Sequence, residues 1–282
     1  MNTIYHLSQY ALQELKDSYS KYEIQSICQI IYMDVLHFTN IDIHLRKNEI
    51  LDKSFINKFL HIIHLLKSNH PIQYILGETE FAGLRFSLNE STLIPRPETA
   101  ELIHWVKTCC STPQKIIDIG TGSGCIAITL AHQLPHCQIS GIDISTQAVE
   151  TAKQNADRNS VQLNWMVRDI LQFEQYEWES FDVIVSNPPY VRESEKATME
   201  AKVLQFEPAT ALFVPDEDPL LFYRRICEFG QQQLTPQGKL FFEINEALGK
   251  EMLTLMQQQG YTHLELRKDF YGKERMIKGI KE

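Results

Sequence analysis

A mostly parallel α/β sheet covered by helices on both faces, with a smaller helical domain ahead of it, is the fold class this sequence predicts. Three observations point there. The first seventy or so residues repeat apolar side chains at helical spacing. From Lys115 onward, short apolar runs alternate with helical patterns, as in a sheet wound through crossover helices. The first of those runs enters a glycine-rich turn, Asp118-Ile119-Gly120-Thr121-Gly122-Ser123-Gly124, and continues as a helix from Cys125. In such sheets the ligand sits at the carboxyl ends of the strands.

The 282 residues suit one large domain plus a small one. Ile24, Ile27, Cys28 and Ile31 recur at i, i+3, i+4 and i+7, and Ile56, Phe59, Leu60 and Ile63 repeat the pattern. A helical bundle is therefore expected over residues 1–70, with Pro71 ending its last helix. Residues 71–95 change character. Gly77 and Gly83 punctuate them, and Phe81, Leu84, Phe86 and Leu88 interleave with small or polar residues, as in a hairpin linking two domains. Pro95-Arg96-Pro97-Glu98-Thr99 is a stiff turn, with Pro97 suited to the first turn of the next helix. That helix would bury Leu102, Ile103 and Val106. The main domain, residues 96–282, offers strands at Lys115–Ile119, Gln138–Asp143, Leu163–Val167, Phe181–Ser186 and Lys239–Ile244, then His263–Arg267 and Glu274–Ile280.

Composition narrows the function. The net charge is -9 and the isoelectric point about 5.6, which disfavours a nucleic-acid binder that must neutralise several phosphates. No run approaches the roughly 20 apolar residues of a membrane helix, and the start lacks a basic region followed by an apolar run. A cytoplasmic protein is expected. Its six cysteines would then be free thiols packed as small apolar residues. No metal site is expected: His132 and His136 are four apart, but Pro135 between them distorts the helical face they would share. His61 and His64 fit the flank of a helix.

Glycines at alternate positions let the backbone turn tightly at a helix start, so a ligand can approach the main chain. A dinucleotide fingerprint spaces its glycines G-x-G-x-x-G; here the spacing is G-x-G-x-G, with Asp118 two residues ahead. A pyrophosphate would avoid that carboxylate, and a ligand carrying a cation would not. The pattern Asp118, Gly120, Thr121, Gly122, Ser123, Gly124 resembles the first motif of S-adenosylmethionine-dependent methyltransferases, whose sheet is Rossmann-like and seven-stranded. Asp143, ending the second strand, can accept hydrogen bonds from both hydroxyls of a ribose. Ser145 suits the cap of the following helix. After the third strand, Asp169 could accept from an adenine amine and Ile170 could wall the ring.

The fourth strand runs straight into Asn187-Pro188-Pro189-Tyr190. Neither proline has an N–H, so the ladder stops and the Pro188 carbonyl is fixed in direction. That carbonyl and the Asn187 oxygen can hold an NH₂ group by both hydrogens, while Tyr190 offers a ring face. The constellation suits methylation of a planar nitrogen. Hydrogen bonds from the nitrogen's protons return density to it and stabilise the charge that develops, so no general base is nominated.

Asn-Pro-Pro-Tyr serves adenine, cytosine and glutamine nitrogens alike. The rest of the chain helps to choose among them. His70-Pro71-Ile72-Gln73-Tyr74-Ile75-Leu76-Gly77, Phe81-Ala82-Gly83-Leu84-Arg85-Phe86 and Leu93-Ile94-Pro95-Arg96-Pro97-Glu98-Thr99 closely resemble the linker of bacterial protein-(glutamine-N5) methyltransferases of the peptide chain release factor type. Phe206-Glu207-Pro208-Ala209-Thr210-Ala211-Leu212 and the tail from Lys268 to Arg275 resemble that family too. The resemblance implies S-adenosylmethionine as cofactor and the glutamine of a Gly-Gly-Gln loop in release factors as substrate. It implies a cofactor loop from Gly120 to Gly124, a ribose acid at Asp143, an adenine wall at Asp169 and Ile170, and an amide clamp from Asn187 to Tyr190, with Asn187 also bordering the cofactor. The helical domain would hold the protein substrate, and linker residues such as Arg96 and Glu98 would line its cleft. Two departures are visible: Ala100 precedes Glu101 where relatives carry an acid directly, and Ile170 stands where an aromatic is common. Three competing readings remain open: glutamine methylation of a ribosomal protein, an amino methyltransferase acting on nucleic acid, and a scaffold without chemistry. The nucleic-acid reading requires base flipping and a basic surface. A scaffold would be free to lose its glycines, Asp143 or Asn187, and this chain keeps them.

Overall fold

The computed structural model describes residues 2–110, 112 and 114–282. Its first elements are α1 (Ile4–Leu15), α2 (Lys21–Leu36), α3 (Asn40–Leu45), α4 (Lys53–Lys67) and α5 (Ile72–Leu76). Short polar side chains start them: Thr3, Ser20, Thr39 and Asp52 each accept from a backbone N–H in the first turn of the helix they precede. Residues through Gly77, together with the later helix Ala201–Phe206, make one compact unit. Ile24, Ile27, Cys28 and Ile31 are buried in it as their spacing predicts. On α4 the buried face is Phe55, Phe59, Ile62, Ile63 and Leu66, so Ile56 and Leu60 sit on its half-buried flank. Tyr32 explains that rotation: its ring stacks on Phe59 at 5.6 Å and lies 6.0 Å from Phe55. His61 and His64 are exposed.

Pro71 does not end a helix but starts one. It is the N-cap of α5, with an extended backbone at φ -60° and ψ 135°, and α5 runs until Gly77, which takes a left-handed φ of 76°. The hairpin is therefore shorter than residues 71–95, with β1 (Glu78–Phe81) and β2 (Leu84–Ser87) joined through Ala82 and Gly83, both at positive φ. It belongs to the second unit, residues 78–200 and 207–282. There the Asn155 side chain accepts from Ser87 N–H at 2.7 Å and donates to the Ser87 carbonyl at 3.0 Å.

The second unit continues with α6 (Thr99–Thr108), β3 (Lys115–Ile119), α7 (Cys125–Gln133), β4 (Gln138–Asp143), α8 (Thr146–Arg158), β5 (Asn164–Val167) and β6 (Phe181–Ser186). After β7 (Val191–Arg192), the helix Ala201–Phe206 (α9) and β8 (Phe213–Val214) come α10 (Leu221–Gln233), β9 (Leu234–Glu243), α11 (Gly249–Gln258), β10 (Tyr261–Lys268) and β11 (Glu274–Lys281). Seven strands form one sheet in the order β10-β11-β9-β6-β3-β4-β5, parallel except where β11 pairs with its two neighbours. Successive residues pack on opposite faces. Ile117, Ile184 and Phe242 join one buried cluster, while Ile116, Val183, Val185 and Phe241 join the other. Burial on both faces is why these strands read as unbroken apolar runs. β9 starts five residues earlier than the sequence suggests, because Leu234 pairs with Phe181 ahead of a register shift at Gln237, whose φ is 65°. Pro97 lies just ahead of α6, its carbonyl accepting from Ala100 N–H at 3.1 Å.

The chain passes from β3 outward to β4 and β5, then returns to β6 on the other side of β3. The carboxyl ends of β3, β4 and β6 therefore meet where the winding reverses, the place such sheets offer a ligand. All six cysteines are free thiols. Among the described residues no helix is long and apolar enough to cross a membrane, and no three His, Cys, Asp or Glu side chains gather as a metal site would require.

Candidate active site

A cavity of about 620 Å³ opens at those strand ends, within the roughly 300–1,000 Å³ of ligand sites. Gly120, Gly122, Asp143, Asp169, Ile170, Asn187, Pro188 and Pro189 all line it. Eight positions spread over 70 residues of sequence thus converge on one space.

The loop after β3 is clipped to β4, since Gly120 and Thr121 N–H both donate to the Ile142 carbonyl, at 2.9 and 2.8 Å. Its three glycines carry φ of 74°, 54° and 81°. A side chain in that left-handed region costs roughly 1–2 kcal/mol per residue. At Gly124 space is also closed: an added Cβ would stand 2.8 Å from Ile128 Cδ1 and 3.2 Å from the Trp165 ring. Asp143 fastens the loop from the other side. Its Oδ2 accepts from Gly122 N–H and its Oδ1 from Ser145 N–H, both at 2.9 Å. Burial nevertheless raises its pKa, against those two N–H groups. Ser145 caps α8 by accepting from Ala148 N–H.

Asp118, Thr121, Ser123 and Gly124 are not on the cavity wall. Asp118 is sealed beneath the loop, fully buried, its Oδ2 accepting from the Thr121 hydroxyl at 2.6 Å. Burial pushes its pKa up to about 7, with that hydrogen bond opposing. The expectation that Asp118 meets a cationic ligand directly gains no support from this placement. Thr121 and Ser123 are likewise buried. Asp169 reaches the cavity but also caps a short 3₁₀ turn, accepting from Leu171 N–H and Gln172 Nε2, each at 2.9 Å.

At the end of β6, the Ser186 hydroxyl donates to the Ile119 carbonyl at 2.6 Å and fixes the distance between the two strand ends. Asn187 Nδ2 donates to Thr99 Oγ1 at 3.4 Å. Tyr190 differs from expectation. It does not line the cavity; its hydroxyl donates inward to Glu243 Oε1 at 3.2 Å, and its carbonyl accepts from Asn245 Nδ2 at 3.3 Å. Burial, then the neighbouring Glu243 charge, lift the phenol above its ordinary value. Phe213 and Phe222 supply aromatic surface to the cavity instead.

Arg96 and Glu98 are also off the cavity wall. Both oxygens of Glu207 accept from Arg96 Nη2, at 2.7 and 2.8 Å, and the Glu207 side chain is 2% exposed. The Arg96 guanidinium is engaged in a partly buried ion pair that joins the turn before α6 to the segment after α9. Glu207 carries no role legible in its local sequence, and neither does Glu243. A lone acid in Leu240-Phe241-Phe242-Glu243-Ile244, an otherwise apolar strand, was the available signal.

Comparison with known proteins follows the two units. Residues 99–216 match the methyltransferase small domain, and residues 6–77 match the PrmC N-terminal domain. A release factor glutamine methyltransferase of Bacteroides thetaiotaomicron is 42% identical over 271 residues, covering 96% of this chain and 98% of its own. One from Flavobacterium psychrophilum is 45% identical over 272 residues, covering 95% of each. Among solved structures, a methyltransferase from Pyrococcus furiosus shares the fold with a TM-score of 0.53 at 17% identity, over 82% of this chain and 99% of that one.

Proposed function

The chain belongs to the release factor glutamine methyltransferase family, and from that premise we propose that it methylates the side-chain amide nitrogen of the glutamine in the Gly-Gly-Gln loop of peptide chain release factors. The methyl donor is S-adenosylmethionine, which supplies an electrophilic methyl group on a sulfonium.

The cavity fits that donor. It is large enough for a nucleoside with an amino-acid arm, it has apolar walls at Ile170 and Phe222, and Asp143 presents carboxylate oxygens at the edge of a side-chain-free glycine turn. Asp143 would hold the ribose hydroxyls, and Asp169 with Ile170 would border the adenine. The observation that carries the reading is Asn187 and Pro188 on the wall of the same cavity, at the end of β6. The Asn187 Oδ1 and the Pro188 carbonyl are two acceptors for the two protons of one carboxamide.

An amide nitrogen is a poor nucleophile because its lone pair is delocalised into the carbonyl. Two accepted hydrogen bonds draw its protons away and return density to nitrogen. They also stabilise the positive charge that develops as the N–C bond forms. The S–C bond breaks with its electron pair going to sulfur, leaving S-adenosylhomocysteine, and one nitrogen proton then passes to solvent. Holding the nitrogen in line supplies most of the remaining acceleration. The transfer requires neither a metal nor a general base. The helical unit would hold the body of the release factor, and the enzyme would act in the cytoplasm, where translation ends.

Incubation with labelled S-adenosylmethionine and unmethylated release factor, followed by mass spectrometry of the Gly-Gly-Gln peptide, tests this directly. One methyl on the glutamine is expected, and none when that glutamine is replaced by alanine. Label found only in a ribosomal protein or in RNA would overturn the substrate assignment.

A further inference from the structure

We infer that Thr99 and Glu243 are positioning residues that decide which end of the Asn187 carboxamide faces the substrate. The inference rests on the proposed reaction, in which Asn187 must present its oxygen.

A carboxamide has two ends of nearly equal shape and opposite hydrogen-bonding character. Only the oxygen end is useful to a substrate NH₂. Turned over, Asn187 would set its own NH₂ against the substrate's, donor against donor. Something behind Asn187 must therefore distinguish the two orientations.

The structure places a one-proton group there. The Thr99 hydroxyl donates its only proton to Glu243 Oε2 at 2.7 Å. What remains for Asn187 is a lone pair, and the contact observed is Asn187 Nδ2 donating to Thr99 Oγ1 at 3.4 Å. That bond is long, but the inverted orientation would set Oδ1 against the same lone pair. Glu243 is fixed in turn. Its second oxygen accepts from the Tyr190 hydroxyl at 3.2 Å, and its carbonyl accepts from the Tyr223 hydroxyl at 3.1 Å. Thr99 and Glu243 are 2% and 1% exposed, so water does not compete for these partners. The chain of bonds runs from the carboxyl end of β9 through the first turn of α6 to the end of β6, joining residues 144 positions apart. It also accounts for Tyr190: that side chain helps hold the acid that sets Asn187.

The test compares wild type, Thr99→Val and Thr99→Ser for turnover on release factor. Calorimetry with S-adenosylhomocysteine counts folded sites. Valine keeps the shape of threonine and removes the hydroxyl; serine keeps the hydroxyl. Thr99→Val should lower kcat per binding site tenfold or more, with S-adenosylhomocysteine affinity within about twofold of wild type. Thr99→Ser should return to within a few fold of wild type. Because Thr99→Val leaves a buried carboxylate oxygen without its donor, Glu243→Met serves as the second variant. It keeps the length of the side chain and removes both carboxylate acceptors, which frees the Thr99 proton to turn to Asn187, and it should lose kcat in the same way. Wild-type kcat in the valine variant, or in Glu243→Met if the valine variant does not fold, would overturn the inference alone. So would a serine variant as defective as the valine one. A wild-type enzyme inert on release factor would overturn the proposed reaction and this inference together.

Discussion

Asp143 and Asn187 face one cavity, yet their hydrogen bonds divide their work. Asp143 ties down two backbone N–H groups of the loop and its neighbouring turn, and in the proposed reaction its remaining acceptor capacity would meet a ribose. Asn187 donates to Thr99, and in the same proposal its oxygen would meet the substrate amide. Removing a hydrogen bond to a charged group costs about 1.5–3 kcal/mol. Asp143→Ala should therefore weaken S-adenosylhomocysteine roughly tenfold to a hundredfold in calorimetry. Asn187→Ala should leave that affinity within a few fold and lower kcat by about 10²–10³, the usual cost of one lost transition-state hydrogen bond. An exchange of these phenotypes would reverse the two roles. Asp118 is different in kind: it is sealed beneath the loop. Its pKa rises on folding from 3.8 to about 7. Between those values the folded chain keeps a proton that the unfolded chain has lost. Its stabilising contribution is thus present below the lower value and is lost as pH rises through the upper one. Asp118→Asn removes the charge and keeps the shape. Its melting temperature relative to wild type should climb steadily from about pH 4 to about pH 8. Parallel melting curves across that range would show that Asp118 keeps an ordinary pKa.

At the level of elements, what could be read from sequence was whatever is written locally. The inner strands β3, β4, β6 and the second half of β9 are visible because burial on both faces makes each a dense apolar run, and because Gly120 and Asn187-Pro188-Pro189 end two of them abruptly. Gly120, Asp143 and Asn187 were legible for the same reason, each being the residue at which a strand stops. Short elements were not. β7 and β8 have two residues each, too few to show a period, and α5 hid behind a proline that begins a helix as readily as it ends one. The buried face of α4 is turned by one position from the one its apolar spacing suggests, because the rings of Phe55 and Phe59 follow Tyr32 on another helix. Partnerships across long separations were out of reach. Glu207 meets Arg96 across 111 positions and Glu243 meets Thr99 across 144, and no pattern in a single sequence joins them. Arg96 and Tyr190 meet the same limit, since the acids that engage them, Glu207 and Glu243, lie far along the chain.

For the whole molecule, holding one carboxamide cannot by itself select a substrate, since every protein presents glutamines. Selection has to come from contacts remote from the reacting nitrogen, whose binding energy brings the correct loop to the cavity. The helical unit has a surface suited to that purpose. On α3, none of whose residues is buried, Ile41 and Leu45 are 69% and 77% exposed. They are four residues apart, on one side of the helix. Two exposed apolar side chains on one side of a short helix are a surface that a protein partner could cover. Replacing them with aspartate should cost little stability, because neither supports a core. The double variant Ile41→Asp with Leu45→Asp should raise KM for intact release factor several-fold. It should leave kcat at saturation, S-adenosylhomocysteine affinity and turnover of a short Gly-Gly-Gln peptide unchanged. The peptide separates the two possible failures. If KM for the intact factor does not move, the release factor is held elsewhere and α3 has no part in recognition. If the peptide suffers equally, the substitutions have reached the chemistry, and the helical unit does more than hold the protein substrate.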